Sequence, residues 1–265
     1  MRFASLGSGS EGNALVVERH AAPTTGRARY ILVDCGFRAR EAVRRIERLG
    51  LDLADLEAVL VTHEHGDHAG GAFQLAKLAE VPVWLTHGTM LGAVRCAGFD
   101  ERRCRLLEPD RHLAIGAFGV LPFAVPHDAR EPVQFVIDDG SARLGLLTDV
   151  GRSTPHVVQT LSGVDALVLE CNHDRGMLEA GRYPPMLKRR IGGDYGHLEN
   201  LDAASILSSI GRTRLKTVVA AHLSRENNRP ALAQLALSSV LGCAPAEVTV
   251  ADQDEGCGWQ SMRPM

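Results

Sequence analysis

Thr62-His63-Glu64-His65-Gly66-Asp67-His68 follows the apolar run Ala58-Val59-Leu60-Val61 without a break. A short apolar run rich in valine reads as a buried strand. Three imidazoles and two carboxylates therefore crowd into the seven residues at a strand's end. These are the ligand types that suit zinc, manganese and iron, and positions 63, 65 and 67 can converge from an extended turn. A histidine-rich surface loop is the competing reading, and the density of donors argues against it. One metal takes about three protein ligands and leaves a position open, so a cluster with more donors than that implies a second ion.

Other donors stand in similar places. His127 lies in Val125-Pro126-His127-Asp128, Asp149 in Leu147-Thr148-Asp149 and His222 in Ala220-Ala221-His222-Leu223. Each alone reads as a cap or a surface residue. Their recurrence after apolar runs is what points to one site.

The runs Leu15-Val16-Val17, Tyr30 to Val33, Val133 to Ile137, Leu144 to Leu147, Ala166 to Leu169 and Val218-Val219 are further expected strands. Ala39, Val43, Ile46 and Leu49 mark one helix face, and Leu198, Leu201, Ser205 and Ile210 a less clean one. Early strands are joined by turns and later ones alternate with helices, which disfavours an all-parallel doubly wound sheet. The expectation is a mixed α/β (α+β) fold, two packed sheets with helices outside, in a single domain spanning residues 1–265. Gly26 through Arg29 and Arg130-Glu131-Pro132 read as surface turns.

With 45% hydrophobic and 23% charged residues and a net charge of -3, the chain is not coated in basic residues, although a local cationic patch remains possible. Six cysteines, at 35, 96, 104, 171, 243 and 257, form no C-x-x-C pair, so neither a disulfide framework nor a zinc ribbon is indicated. No signal-peptide stretch or membrane-spanning run is present, and the expected location is the cytoplasm.

Asp34, the 63–68 run, His127, Asp149 and His222, in that order, resemble the five motifs of the metallo-β-lactamase superfamily. The resemblance implies an αββα sandwich with metals at one rim. It also implies that His63, His65 and His127 hold one divalent ion, Asp67, His68 and His222 another, that Asp149 bridges them, and that Asp34 supports the site from behind. Zinc or manganese are the expected cofactors.

Three stretches are similar to the YycJ/WalJ branch, described as 5′-to-3′ exonucleases acting on DNA: Ser5 to Asn13, Cys171-Asn172-His173-Asp174 through Gly196-His197-Leu198-Glu199-Asn200, and His222 to Asn228. Metal-dependent phosphodiester hydrolysis follows, with a metal-activated water attacking phosphorus and Asp67 among the catalytic residues. Ser8, Ser10 and Asn13, on a glycine-rich loop, would donate to a 5′-phosphate. Arg182, Lys188, Arg189 and Arg190 would track the nucleic acid, most readily DNA. His173, with His197 second, would protonate the leaving oxygen.

Between Asp149 and His222 there is too little chain for a β-CASP clamping domain, and no ribonuclease Z-like arm is evident. Val150 and Gln134 replace the threonine and glycine of the branch pattern, and His20 to Arg29 looks like a small insertion. A small-molecule or cyclic phosphodiesterase, or an ester or thioester hydrolase of the same superfamily, is the alternative. A catalytically silent nucleic-acid-binding protein would be expected to have lost ligands, and none is missing.

Overall fold

The computed structural model describes residues 1–19 and 28–262. Most of the expected insertion at 20–29 therefore lies outside the described residues, while Arg29 opens a strand instead of closing a turn.

One seven-stranded sheet holds β1 (Arg2–Gly7), β2 (Ala14–Arg19), β3 (Arg29–Val33), β4 (Leu56–Leu60), β5 (Val83–Leu85) and β6 (Cys104–Leu106) in sequence order, with the last strand, β14 (Cys257–Ser261), beside β1. The second sheet has the order β13-β12-β11-β10-β9-β8-β7, comprising β7 (Leu113–Ile115), β8 (Phe118–Ala124), β9 (Val133–Asp138), β10 (Arg143–Leu147), β11 (Ala166–Glu170), β12 (Thr217–Ala221) and β13 (Thr249–Val250). Both are mixed. Strands β3 to β6 run parallel in the first, as do β10 to β13 in the second, and the remaining pairs are antiparallel.

The two-residue period of a strand explains why the runs are apolar throughout. Ile31 and Val33 face the second sheet, where Phe135, Ile137, Leu144 and Val168 meet them. Tyr30 and Leu32 face outward, under α1 (Ala39–Arg48) and, past the one-turn α2 (Gly66–Ala69), under α3 (Ala72–Ala79). Helix α4 (His87–Ala93) continues that layer. On the far side α5 (Pro155–Leu161), α8 (Asn200–Ser209) and α9 (Pro230–Leu241) cover the second sheet, while α6 (Arg175–Ala180) and α7 (Pro185–Ile191) lie between β11 and α8 in the chain. The layers are the expected αββα.

The face expected on α8 is wrong in phase. Leu201 is 69% exposed and Ser205 is also exposed, whereas Ala203, Ala204, Ile206 and Leu207 are buried. The small alanines let α8 lie close to its neighbours, and that stripe is one position out of register with the bulkier residues that suggested the face. The strands of two or three residues, β5, β6, β7 and β13, are too short to carry a period, and the longer β8 and β14 are also not expected from the sequence: Gly119 and Pro122 interrupt the first and the second is only partly apolar. No helix among the described residues is long and apolar enough to cross a membrane.

Candidate metal centre

Parallel neighbours end at the same rim, and ligands in such sheets gather beyond the carboxyl ends of the strands. Asp34 follows β3, the 62–68 loop follows β4, Asp149 follows β10, and His222 follows β12. Asp34, Asp149 and His222 all have left-handed backbone, with φ of 61°, 53° and 55°. This conformation costs a non-glycine residue free energy, and here it turns the chain sharply off the strand so that the side chain stays at the rim.

Asp34 fixes the loop. Its Oδ1 accepts from the Thr62 amide (2.8 Å), and its Oδ2 accepts from Thr62 Oγ1 (2.9 Å) and His68 Nδ1 (2.8 Å). The His68 ring is thereby held with Nε2 toward the cluster, the arrangement in which a carboxylate orients a ligating imidazole. Glu64 turns away, its Oε1 accepting from the Arg130 amide.

Two sets of donors result, each with ligand atoms within 4.8 Å of one another: His63, His65 and His127 in one, and Asp67, His68 and His222 in the other. Asp149 lies between them, with Oδ2 3.1 Å from His68 Nε2 and Oδ1 3.9 Å from His127 Nε2 and 3.6 Å from His222 Nδ1. His63 Nε2 and His222 Nε2 are buried without a hydrogen-bond partner. Buried polar atoms seldom stay unpaired, and an unpaired imidazole nitrogen in each donor set suits a divalent cation there.

The electrostatics agree. Burial pushes His63 well below the usual imidazole range and keeps it neutral, as a ligand must be. Burial also opposes charge on His68 and His222, but the surrounding carboxylates, Asp149 first, hold His68 well above its usual value and His222 up to about 10. Against burial, the His222 and His68 imidazoles hold Asp149 well below the carboxylate range. The carboxylates around His68 and His222 thus set up a negative potential that favours positive charge at this place.

A family model described as the beta-lactamase superfamily domain matches residues 29–222. The chain belongs to the metallo-β-lactamase superfamily. It is thus an enzyme of the metal-dependent hydrolase class. It is 33% identical over 242 residues to the exodeoxyribonuclease YycJ of Bacillus anthracis, covering 91% of this chain and 89% of that one. It is 31% identical over 254 residues to the exodeoxyribonuclease WalJ of Streptococcus pneumoniae serotype 2, covering 94% and 91%. The metallo-β-lactamase fold protein YhfI from Bacillus subtilis superposes with a TM-score of 0.73 at 16% identity, covering 98% and 99%.

One residue of this metallo-β-lactamase centre escaped the sequence reading. Glu170, fully buried at the end of β11, accepts through Oε1 from His197 Nδ1 (2.8 Å) and His222 Nδ1 (3.1 Å), and through Oε2 from the Val150 and Leu198 amides. A carboxylate closing an apolar strand, as Asp34 nearly does after β3, was the available signal. Against its own burial, the imidazolium of His197 holds Glu170 down to about 2. His197 is raised in turn: burial opposes this, and Glu170 and Asp149 prevail.

His173 does not join this cluster. Its backbone pairs with that of Glu199, and burial lowers its pKa, which leaves it neutral and unsuited to giving up a proton. The chain has already turned away from the rim. Asn172 donates to the His222 carbonyl, and Asp174 caps α6 by accepting from the Met177 amide (2.8 Å).

The glycine-rich loop also differs from expectation. Ser8 Oγ accepts from the His222 amide (2.8 Å), Asn13 Oδ1 accepts from the Gly9 amide, and Asn13 Nδ2 donates to Gly9 O and Asp67 O. The loop's polar atoms brace the ligand-bearing segments: Asn13 spends its amide protons on Gly9 O and Asp67 O, whereas Ser8 Oγ accepts from the His222 amide and keeps its hydroxyl proton to donate. Ser10 is exposed. Gly12, at φ 151°, passes so close to Phe37 that an added Cβ would lie 2.7 Å from its ring. Of the cationic residues, Arg182 and Arg189 are exposed, Lys188 Nζ donates to the Glu179 carbonyl, and Arg190 Nε donates to Asp128, whose other oxygen is 3.5 Å from His127 Nε2. Arg190 is thus tied to the metal rim through Nε, while its side chain remains 61% exposed.

Proposed function

We propose that this protein is a dinuclear metal-dependent phosphodiesterase acting as a 5′-to-3′ exonuclease on DNA. The observation that carries the reading is two three-donor sets with Asp149 close to both and a Glu170-His197 pair beside it, in a chain similar along nine-tenths of its length to two proteins named exodeoxyribonucleases.

His63, His65 and His127 would hold one ion and Asp67, His68 and His222 the other, with Asp149 between. When bound, zinc or manganese would supply an activated water and neutralise charge on the phosphoryl oxygens. The chain's own part is orientation and proton delivery. Glu170 takes His197 Nδ1 and keeps the ring protonated, which leaves Nε2 to protonate the departing sugar oxygen. His197 therefore replaces His173 as the favoured acid. Asp34 and Glu170 fix three imidazoles from behind, so that the site pays little reorganisation on reaching the transition state. The exposed Arg182 and Arg189 favour a polyanion.

End-labelled single- and double-stranded DNA and RNA, incubated with protein reconstituted with zinc or manganese, test this. Stepwise shortening of DNA from the 5′ end is the expected result. Shortening from the 3′ end, preference for RNA, or no cleavage of any strand with hydrolysis of simple esters would overturn it.

A further inference from the structure

A cleft of about 280 Å³ adjoins the metal rim and shares His197 with it. Its other walls come from α6, α7 and the loops after them, with His173, Leu178, Lys188, Arg189 and Gly192 at its surface. It falls just below the roughly 300–1,000 Å³ of sites that take drug-sized molecules. That scale suits one nucleoside of a strand.

Away from the His197 edge its charges balance. Lys188, Arg189 and Arg175 are matched by Glu179, Glu199 and Asp202, and Arg175 is closed on Glu199 through two hydrogen bonds of 2.6 and 2.9 Å. A balanced set of donors and acceptors beside the apolar Leu178 suits a neutral, many-functional group such as a base with its sugar. The Arg189 guanidinium makes no hydrogen bond or ion pair among the described residues and is free to lie against a ring, as arginine does with unstacked bases. His173 adds a directed donor. Its Nδ1 is buried without a partner, and a buried N–H without an acceptor is costly. The neutral ring therefore carries its proton on Nε2, the nitrogen facing Gly192, where an added Cβ would stand 4.0 Å away.

We propose that this cleft seats the terminal nucleoside of the strand while its phosphodiester lies on the metal side of His197. This rests on the phosphodiesterase reading above and gives His173 a role in specificity. The site measures out one nucleotide, which is what end-directed hydrolysis requires.

Gly192 allows a direct test. Its φ is −86°, and an added Cβ would meet nothing closer than 3.5 Å, so Gly192→Leu suits the backbone and projects its side chain into the cleft. The metal-loaded protein is assayed on methyl 4-nitrophenyl phosphate and on thymidine linked to 4-nitrophenyl phosphate through its 5′ or its 3′ oxygen. One thymidine ester is expected to exceed the methyl ester in kcat/KM by tenfold or more, about 1.4 kcal/mol. That ratio should fall to within about threefold of unity in Gly192→Leu and persist in Gly192→Ala. Calorimetric binding of thymidine 5′-monophosphate, which needs no turnover, should weaken about tenfold in Gly192→Leu. A ratio or an affinity indifferent to Gly192→Leu would overturn the proposal. A Gly192-dependent preference in a protein that shortens no strand would uphold the cleft and refute the exonuclease reading. Strand shortening with a preference that ignores Gly192 would do the reverse.

Discussion

Replacing Glu170 by glutamine keeps the side chain's shape and removes both its charge and one of its acceptor oxygens. Oε1 now receives two imidazole N–H groups and Oε2 two backbone N–H groups, with Glu170 fully buried. Either orientation of the amide sets an NH₂ against two donors. Each buried donor left without an acceptor costs about 1–3 kcal/mol, so the variant should lose roughly 2–6 kcal/mol, a large share of the roughly 5–15 kcal/mol typical of a domain. Guanidinium unfolding of the metal-loaded protein measures that loss. The catalytic effect is separable. His197 must be protonated to act as an acid, and Glu170 is the first group that raises its pKa, so kcat/KM on a DNA strand falls as pH rises through that pKa. In Glu170→Gln that alkaline limb should move to lower pH. The rate on DNA should drop about a hundredfold, and that on methyl 4-nitrophenyl phosphate, whose leaving group needs no proton, far less. Glu170→Asp, which keeps the charge, should restore part of both effects. Unfolding within about 0.5 kcal/mol of the wild type together with an unmoved alkaline limb would refute the reasoning.

Further outcomes follow from the same geometry. Elemental analysis of saturated protein should give two metal equivalents per chain; one or fewer would contradict the two donor sets. His65→Ala and Asp149→Ala should abolish turnover with the fold retained by circular dichroism, and an active variant would overturn its ligand role. Ser8→Ala should remove the acceptor of the buried His222 amide, at about 1–3 kcal/mol; unfolding within about 0.5 kcal/mol of the wild type would contradict that bond. In metal-free protein, the raised His222 contributes stability that is complete below about 6.5 and lost as pH rises through about 10. The lowered Glu170 contributes stability present above about 4.5 and lost as pH falls toward about 2. Thermal midpoints across pH should therefore decline at both ends, and an increase between pH 7 and 10 would contradict the assignment.

The αββα layers were legible because strands covered on both faces are apolar throughout, as at Tyr30 to Val33, and such runs survive reading without a partner. The ligand-bearing loop was legible because seven consecutive residues carried five donors. What failed depended on direction. Glu170 lies within an apolar run, and nothing local says that its carboxylate faces two imidazoles from other segments. His173 and His197 are alike in sequence, and only the turn at Cys171 decides which one reaches the rim. Asn13 carries donors suited to phosphate, but one partner that takes them, Asp67, is more than fifty residues away in the chain. The face of α8 was misread because alanines, weak markers of burial, line it.

The left-handed backbone at Asp34, Asp149 and His222 places two separate demands on each position. Asparagine enters that region more easily than most residues, so Asp34→Asn and Asp149→Asn alter charge while sparing the turn. Valine at either position would unbend the strand end and displace the neighbouring segments with it. In a set of random variants, the two substitutions would score alike by activity and far apart by solubility. Inactive chains that remain folded should therefore accumulate asparagine at these corners, and a survey of soluble, inactive mutants would locate the rim without any assay of its chemistry.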